Sequence, residues 1–158
     1  FGKLEKAIDD YTKAIELKPQ DADAYVRRGC AYDSFNEHQK AIDDYTKAID
    51  LKPQDADAYV RRGNVYNRAN EYQQAIDDYT KAIELKPQDA DAYVRRGNAY
   101  DRANEYQQAV DDFTEAIELN PEYAETYFDR SISYDCIGET ELAETDRQKY
   151  QELKSSSD

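Results

Sequence analysis

The side chains with the most evident chemistry are arginines, carboxylates and amides that return at a fixed spacing. In a predicted helix over residues 56–69, Asp57, Arg61, Asn64 and Arg68 lie at i, i+4, i+7 and i+11, and therefore share one stripe of the helix surface. Arginine can hold a carboxylate, and an asparagine amide offers both a donor and an acceptor to the backbone of an extended peptide. This chemistry is typical of recognition.

Related stripes occur 34 residues earlier and 34 and 68 residues later, and with their flanking residues they carry formal charges of −1, +1, 0 and −3 in chain order. The fourth stripe is the most altered, with Glu125, Asp129, Ile132 and Cys136 flanked by Phe128 and Asp135. The predicted ligand-binding residues are Arg27, Asp57, Val60, Arg61, Asn64, Asn67, Arg68, Asp91, Val94, Arg95, Asn98, Asp101 and Arg102.

Two interpretations of these stripes stay open. In the first, arginines near the middle of the chain hold an acidic side chain or a C-terminal carboxylate of an extended partner segment. In the second, the stripes are a solvated face whose charges pair internally, Asp57 with Arg61 and Asp91 with Arg95 at i, i+4.

Other chemistry has little support in the sequence. His38 is the only histidine, and one histidine cannot build an ordinary metal site or support a catalytic claim. Cys30 and Cys136 are interpreted as free thiols in ordinary small-residue positions. No glycine-rich phosphate loop and no nucleophile–base pair is present. We therefore expect a protein that is not an enzyme and that uses no metal or cofactor.

The charge balance narrows the partner classes. The net charge of −14 repels nucleic acid and anionic membrane surfaces, so neither is expected as a general partner. No apolar run is long enough to cross a bilayer. The sequence does not identify a compartment, and a cytoplasmic location is the expectation. The expected partners are therefore proteins or peptides.

The elements that must position these stripes follow from the period of the chain. Prolines recur every 34 residues, at Pro19, Pro53, Pro87 and Pro121. Such a period is typical of stacked supersecondary units. We predict one solenoid over residues 1–153. It comprises an orphan helix in 1–18, full repeats at 21–54, 55–88 and 89–122, a divergent last repeat at 123–153, and a flexible tail at 154–158.

Each repeat contains two amphipathic helices, so the chain is predicted to be all-α with about nine helices. First helices are expected at 22–35, 56–69, 90–103 and 124–137, and second helices at 3–17, 38–51, 72–85, 106–119 and 139–153. Asp21 and its counterparts can cap the first helices. The column Gly2, Asn36, Asn70, Asn104 and Gly138 predicts the turn inside each repeat, because Gly and Asn tolerate left-handed backbone.

The repeats resemble the tetratricopeptide repeat (TPR) family. The resemblance rests on Tyr59-x2-Arg62-Gly63-x2-Tyr66, Ala75-x3-Tyr79 and Pro87. It implies a right-handed α-solenoid, the TPR superhelix of antiparallel helix pairs, with first helices along a concave groove. It also implies a non-catalytic scaffold that binds an extended peptide or partner protein in that groove.

One departure from the family pattern predicts a structural feature. Arginine stands where the family has leucine before glycine, at Arg28, Arg62, Arg96 and Arg130. A charge in a packed column needs a partner, since an unpaired buried charge costs several kcal/mol. Asp44, Asp78, Asp112 and Asp146 recur as faithfully on the second helices. We predict an Arg–Asp ion pair in each repeat, with the arginine stem among the tyrosines; ligand binding by these arginines is the alternative.

The first helix of the chain suggests an alternative function. Its apolar residues Leu4, Ile8, Tyr11 and Ile15 have no preceding partner helix in this sequence, and exposed apolar faces drive association. The alternative is a self-assembling structural repeat module, natural or designed, that forms homo-oligomers through this helix. At the other end, Arg147 and Tyr150 interrupt the aromatic and small columns, which is typical of a capping helix.

Overall fold

The structure is a computed structural model that describes residues 2–156, and it consists of α1 followed by four helix pairs within those residues. The helices are α1 (Gly2–Leu17), α2 (Ala22–Ser34), α3 (His38–Leu51), α4 (Ala56–Arg68), α5 (Tyr72–Leu85), α6 (Ala90–Arg102), α7 (Tyr106–Leu119), α8 (Ala124–Cys136) and α9 (Thr140–Ser155). Within residues 2–156 there is no β-strand. The all-α prediction and the predicted number of helices are confirmed.

The local signals read from the sequence act as expected at the helix ends. The carboxylates of Asp21 and Asp55 accept from backbone N–H groups of the first turns of α2 and α4. Asn36, Asn70 and Asn104 have φ values of 58°, 63° and 63°, and Gly138 has 85°, so this column forms the left-handed turn of each repeat. Gly2 differs from the prediction, because it is the first residue of α1.

The chain divides into two units, Phe1–Leu85 with α1 to α5 and Lys86–Asp158 with α6 to α9. In the first unit, Ile15, Tyr25 and Ala48 belong to one apolar cluster, and Ile42, Tyr45 and Val65 belong to the next. Small residues allow the close approach of paired helices. A Cβ at Gly63 would lie 2.8 Å from Cε1 of Tyr79, a side chain that is 1% exposed.

In the second unit, Phe113 lies in a cluster with Val94, Ala109 and Ala116, and Tyr127 packs with Ala124 and Leu153. Helix α9 continues to Ser155, so the tail predicted from residue 154 begins too early. Lys154 belongs to the helix and pairs with Glu125 at 3.3 Å. Residues 157–158 of that predicted tail, and Phe1, lie outside the described residues. The single solenoid over 1–153 stays a prediction.

Candidate functional site

The helices α2, α4 and α6 each carry two consecutive arginines with different surroundings. The second arginine of each, which we call the inner arginine, is illustrated by Arg62, and the first is called the outer arginine. Arg62 donates from Nε and Nη2 to the two carboxylate oxygens of Asp78, at 2.8 and 2.6 Å. Its Nη1 donates to the hydroxyl of Thr46 at 2.9 Å. The guanidinium carbon lies 5.9 Å from the ring centroids of both Tyr59 and Tyr66. These contacts satisfy the planar fork of the guanidinium inside the repeat.

The same two-pronged pair occurs in every repeat and confirms the prediction. The pairs are Arg28–Asp44, Arg62–Asp78, Arg96–Asp112 and Arg130–Asp146. The aspartate raises the pKa of the arginine, against an opposing effect of burial, in the first three pairs. A threonine from the preceding second helix, Thr12, Thr46 or Thr114, also accepts from Arg28, Arg62 or Arg130. The inner arginines therefore have a structural role. Their contact with the threonine was not predicted from the sequence.

Arg27 and Arg61, the outer arginines of the first unit, border a cavity. The cavity measures about 450 Å³ and is lined by Tyr11, Asp23, Val26, Arg27, Cys30, Asp55, Asp57 and Arg61. Arg27 and Arg61 are exposed. Neither arginine forms an ion pair within residues 2–156, whereas Asp23 pairs with Lys52 at 2.8 Å and Asp55 caps α4. Three predicted binding residues thus meet at one concave site.

Cys30 belongs to the first stripe of the sequence, but it was not predicted as a binding residue, and in the structure it contacts an arginine of this cavity. Its sulfur accepts from Nη1 of Arg61 and from the hydroxyl of Tyr45, each at 3.3 Å. Burial and the Cys30 contact raise the pKa of the Tyr45 hydroxyl, so it remains a donor. Cys30 occupies the column of Asn64 and Asn98, and this periodicity placed it on one stripe with Arg27; its contact with Arg61 was not predicted.

Other predicted residues of the first unit are engaged internally. Arg68 donates to both carboxylate oxygens of Asp33 at 2.5 Å. The amide oxygen of Asn64 accepts from the hydroxyl of Tyr79 at 2.8 Å, so it is engaged in a contact within its own repeat. Val60 is half-buried. Asn67 has a buried Oδ1 with no hydrogen-bond partner among the described residues. The carboxylate-binding prediction is therefore best supported at Arg27 and Arg61.

In the second unit, one predicted internal pair forms. Arg95 donates to Asp91 at 2.7 Å, as the i, i+4 interpretation predicts. Asp91 and Val94 line a smaller cavity of about 220 Å³ together with Ala90, Ala116, Asn120, Tyr123 and Thr126. Arg102 is exposed at the end of α6. The charges of Asp91 and Arg95 therefore compensate each other.

Two carboxylates of the second unit, Asp101 and Asp129, have only neutral hydrogen-bond partners among residues 2–156. Asp101 accepts from the hydroxyl of Ser133 at 2.8 Å, and Asp129 interacts with the Asn98 amide. Burial raises the pKa of Asp129, and the nearby charges of Asp101 and Glu125 raise it further, whereas Asn98 lowers it. Asp129 occupies the column that holds Arg27, Arg61 and Arg95 elsewhere, so the charge of this column reverses in the last repeat.

Two exposed apolar residues stand beside this acidic pair. Phe128 is 43% exposed and Ile132 is 40% exposed, and both lie on α8 one turn apart. The Phe128 ring is 5.3 Å from that of Tyr150, measured between centroids. Sequence analysis placed both residues in the fourth stripe but did not predict them as binding residues.

The predicted self-association residues differ in exposure. Leu4 is 38% exposed, Ile8 and Tyr11 are half-buried, and Ile15 is only 9% exposed within a core cluster. Tyr11 lines the cavity of Arg27 and Arg61. Ile15 therefore adds little to any free surface, because it already packs against Tyr25 and Ala48. Self-association through this helix stays a prediction.

The described chain contains few other candidate sites. Cys30 and Cys136 are free thiols, as expected. Across residues 2–156, no group of three or more His, Cys, Asp or Glu side chains is placed to hold a metal ion. None of the described helices is both long enough and apolar enough to span a membrane.

Helix pairs that recur with the same turn and the same buried Arg–Asp pair are typical of helical-repeat proteins. The family assignment rests on sequence profiles: the tetratricopeptide repeat profile matches residues 22–55, 56–89 and 90–123, and a TPR repeat profile matches residues 2–33. The chain belongs to the tetratricopeptide repeat family. Members of this family generally serve as non-catalytic scaffolds for protein interactions. No curated protein matches the sequence significantly.

Solved structures support the same fold. A crystal structure of MamA is similar with a TM-score of 0.94 and 26% identity, covering 99% of this chain and 91% of that chain. MamA from Desulfovibrio magneticus RS-1 has a TM-score of 0.93 at 23% identity, covering 99% and 89%. YrrB, described as a TPR protein with an unusual peptide-binding site, has a TM-score of 0.85 at 24% identity, covering 96% and 78%.

Proposed function

We propose that this chain is an interaction scaffold that binds an extended peptide segment at the cavity of the first unit, with a partner carboxylate between Arg27 and Arg61. The observation that carries the proposal is the contrast among arginines of that unit. Arg28, Arg62 and Arg68 are paired with aspartates, whereas Arg27 and Arg61 border the cavity without an ion pair in the described chain. A carboxylate is the group that best complements two such guanidinium ions.

The remaining cavity residues favour a peptide over a small ion. Tyr11 and Val26 supply apolar surface, and the volume of about 450 Å³ lies within the range of ligand sites. Asp23, Asp55 and Asp57 line the same cavity as the arginines. They disfavour a bare polyanion, because like charges close to one another are costly. A segment with one carboxylate and adjacent apolar residues fits both features.

Binding of short arrayed peptides, presented with a free or an amidated C-terminus, tests this proposal. We expect the strongest binders to carry a free carboxylate or an Asp or Glu residue. The double variant Arg27→Ala/Arg61→Ala should weaken them by about tenfold or more. Arg95→Ala is the matched control, because Arg95 occupies the same column but is paired with Asp91. If the selected peptides bind the double variant as tightly as the wild type, the proposal is wrong.

A further inference from the structure

Helix α1 carries the packing surface of a second helix, but among residues 2–156 no first helix is paired with it. Its residues 7–15 have the sequence AIDDYTKAI, which is identical to residues 41–49 of α3 and 75–83 of α5. One side of α1 presents residues at i, i+3, i+4 and i+7, and we call this side the open face: Ala7, Asp10, Tyr11 and Ala14. The same surface therefore occurs three times in the first unit.

The copy on α3 shows what this surface binds. Asp44 and Tyr45 are 5% and 1% exposed there, because helix α2 covers them. Arg28 of α2 donates to both carboxylate oxygens of Asp44, at 2.8 and 2.7 Å. A Cβ at Gly29 would lie only 3.0 Å from Cε1 of Tyr45. Helix α4 makes the same two contacts with α5, so the occupant of this surface is a helix with consecutive arginine and glycine.

The same groups are uncovered on α1. Asp10 is exposed and Tyr11 is only half-buried. Asp10 forms no ion pair within residues 2–156, and each of the four inner arginines is already bound to the aspartate of its own repeat. A second copy of the chain could cover the open face only by breaking one of its own buried pairs, which is costly. Charge and shape therefore favour a helix from a different protein.

We propose that the open face of α1 binds a helix of a partner protein that exposes the pattern Tyr-x2-Arg-Gly-x2-Tyr, with the arginine on Asp10 and the glycine against the ring of Tyr11. In α4 the tyrosines of this pattern are Tyr59 and Tyr66, and their rings flank the guanidinium of Arg62. The partner helix completes a helix pair with α1. This binding mode goes beyond the proposed function, because it uses the packing surface of a second helix instead of the stripes on the first helices.

The probe for this proposal is a capped peptide with the sequence of residues 55–69, which contains the pattern. A lactam bridge from Asp57 to the lysine of an Arg61→Lys substitution keeps it helical. Fluorescence anisotropy should show saturable binding of this peptide to the whole chain. Arg62→Gln in the peptide should weaken binding by about tenfold, because it removes the group that pairs with the aspartate. Arg68→Gln is the matched control and should have no effect, since residue 68 lies on the stripe of the bridge.

A further peptide separates docking from helix propensity. Gly63→Leu raises the helix propensity of the peptide, but it places a side chain where the ring of Tyr11 must lie. We expect higher helicity by circular dichroism and loss of binding to the chain. Hydrogen exchange locates the contact: the unsubstituted peptide should protect backbone amides of α1 and leave those of α9 unchanged.

Variants of the chain test the predicted ion pair directly. Asp10→Asn should weaken binding by about tenfold and remove the difference between the unsubstituted and Arg62→Gln peptides, as a direct pair requires. Asp9→Asn is the matched control, because Asp9 is also an exposed aspartate of α1, and it should leave the binding of both peptides unchanged. Far-UV circular dichroism checks that both variants are folded. Neither residue lines the cavity of the first unit, so the proposed function is tested separately.

Several outcomes would overturn the proposal. They are no binding of the peptide, equal binding of the Arg62→Gln and Arg68→Gln peptides, or equal weakening by Asp9→Asn and Asp10→Asn. Sedimentation adds another: if the wild-type chain self-associates and Asp10→Asn abolishes it, a second copy is the occupant of the open face. None of these results depends on a carboxylate ligand at the cavity.

Discussion

Two neighbouring columns of arginine behave in opposite ways in this protein. The inner column, Arg28, Arg62, Arg96 and Arg130, has the same aspartate partner in all four repeats. The column one residue earlier holds Arg27, Arg61, Arg95 and Asp129, and its contacts differ at each position for which one is observed: Cys30 for Arg61, Asp91 for Arg95 and Asn98 for Asp129. A partner that is the same in every repeat indicates a structural role, whereas contacts that differ between repeats are compatible with a role in recognition.

The physical origin of this difference is the direction of the helix surface. Consecutive residues of a helix point about 100° apart, so the inner arginine faces the paired second helix while its neighbour faces away. Inside, the carboxylates are about 5% exposed or less and cannot lose their partner cheaply. Outside, solvent screens the charges and permits exchange of one residue type for another.

The largest effect should come from breaking an inner pair. Asp78→Ala leaves the Arg62 guanidinium without its main partner, and we expect a loss of about 3–5 kcal/mol in the free energy of unfolding, measured with urea. Asp77→Ala is the matched control, because Asp77 is exposed and accepts only from Gln73 at 3.0 Å among the bonds observed. Its effect should stay within about 0.5 kcal/mol.

A double substitution separates charge pairing from packing. Arg62→Leu with Asp78→Leu removes both charges at once, and we expect it to recover most of the loss, because apolar residues can replace a buried pair without penalty. If Asp78→Ala itself costs nothing, the inner column is not a buried ion-pair layer and the comparison with the outer column fails.

An intermediate effect is expected where the inner layer is too tight for one added carbon. Gly63→Ala places a Cβ 2.8 Å from the ring of Tyr79, which is almost fully buried. Overpacking of this kind should cost about 1–3 kcal/mol in urea unfolding. Gly2→Ala is the control, since no atom lies within 4 Å of its added Cβ. Equal stability of the two variants would contradict the close approach of α4 and α5.

A smaller effect, of opposite sign, is expected at the acidic member of the outer column. Because the folded-state pKa of Asp129 is raised, its favourable contribution is present below the ordinary Asp pKa and is lost as the pH rises through the folded-state pKa. Asp129→Asn should therefore stabilise the chain at neutral pH, by up to about 1 kcal/mol. The gain should disappear in acid.

Urea unfolding at neutral pH and at about pH 3, below the ordinary Asp pKa, checks this prediction. Asp111→Asn serves as the control for a carboxylate on an exposed helix face and should show no comparable gain. A stability gain from Asp129→Asn that persists unchanged in acid would mean that the charge of Asp129 is not its cause.

The smallest effect is expected at the exposed pair of the outer column. Arg95→Ala removes an i, i+4 ion pair with Asp91 and should cost only about 0.3–0.5 kcal/mol. High salt should reduce the difference between this variant and the wild type, because the pair is exposed. If Arg95→Ala lowers the free energy of unfolding as much as Asp78→Ala does, Arg95 has a structural role and the two columns do not differ.

Most of the fold could be predicted because its signals are local and repeated. The Asp caps, the Asn turns and the amphipathic spacing act within a few residues, and they identify the helices to within a few residues at most ends. The Arg62–Asp78 pair was also predictable, since both columns persist in every repeat. The end of α9 was predicted too early, because the Lys154–Glu125 pair joins residues far apart in the chain.

The candidate sites were predicted less completely. The sequence identified Arg27 and Arg61 as members of a stripe, but not that Tyr11 and Cys30 join them around one cavity. Periodicity assigns a side chain to a helix face, whereas a cavity depends on distances between three helices. For the same reason, the i, i+4 pairing of Arg95 was predictable, but the pairing of Arg68 with Asp33 was not.

The sequence by itself determined the repeat period, the helix pairs, the buried Arg–Asp layer and the family of this protein. These properties rest on local propensities and on residue columns that any repeat must satisfy. Only the tertiary structure decided which arginines have no ion pair among residues 2–156 and that Ile15 belongs to the core. Those outcomes depend on burial and on contacts between different repeats, and a linear pattern does not contain those distances.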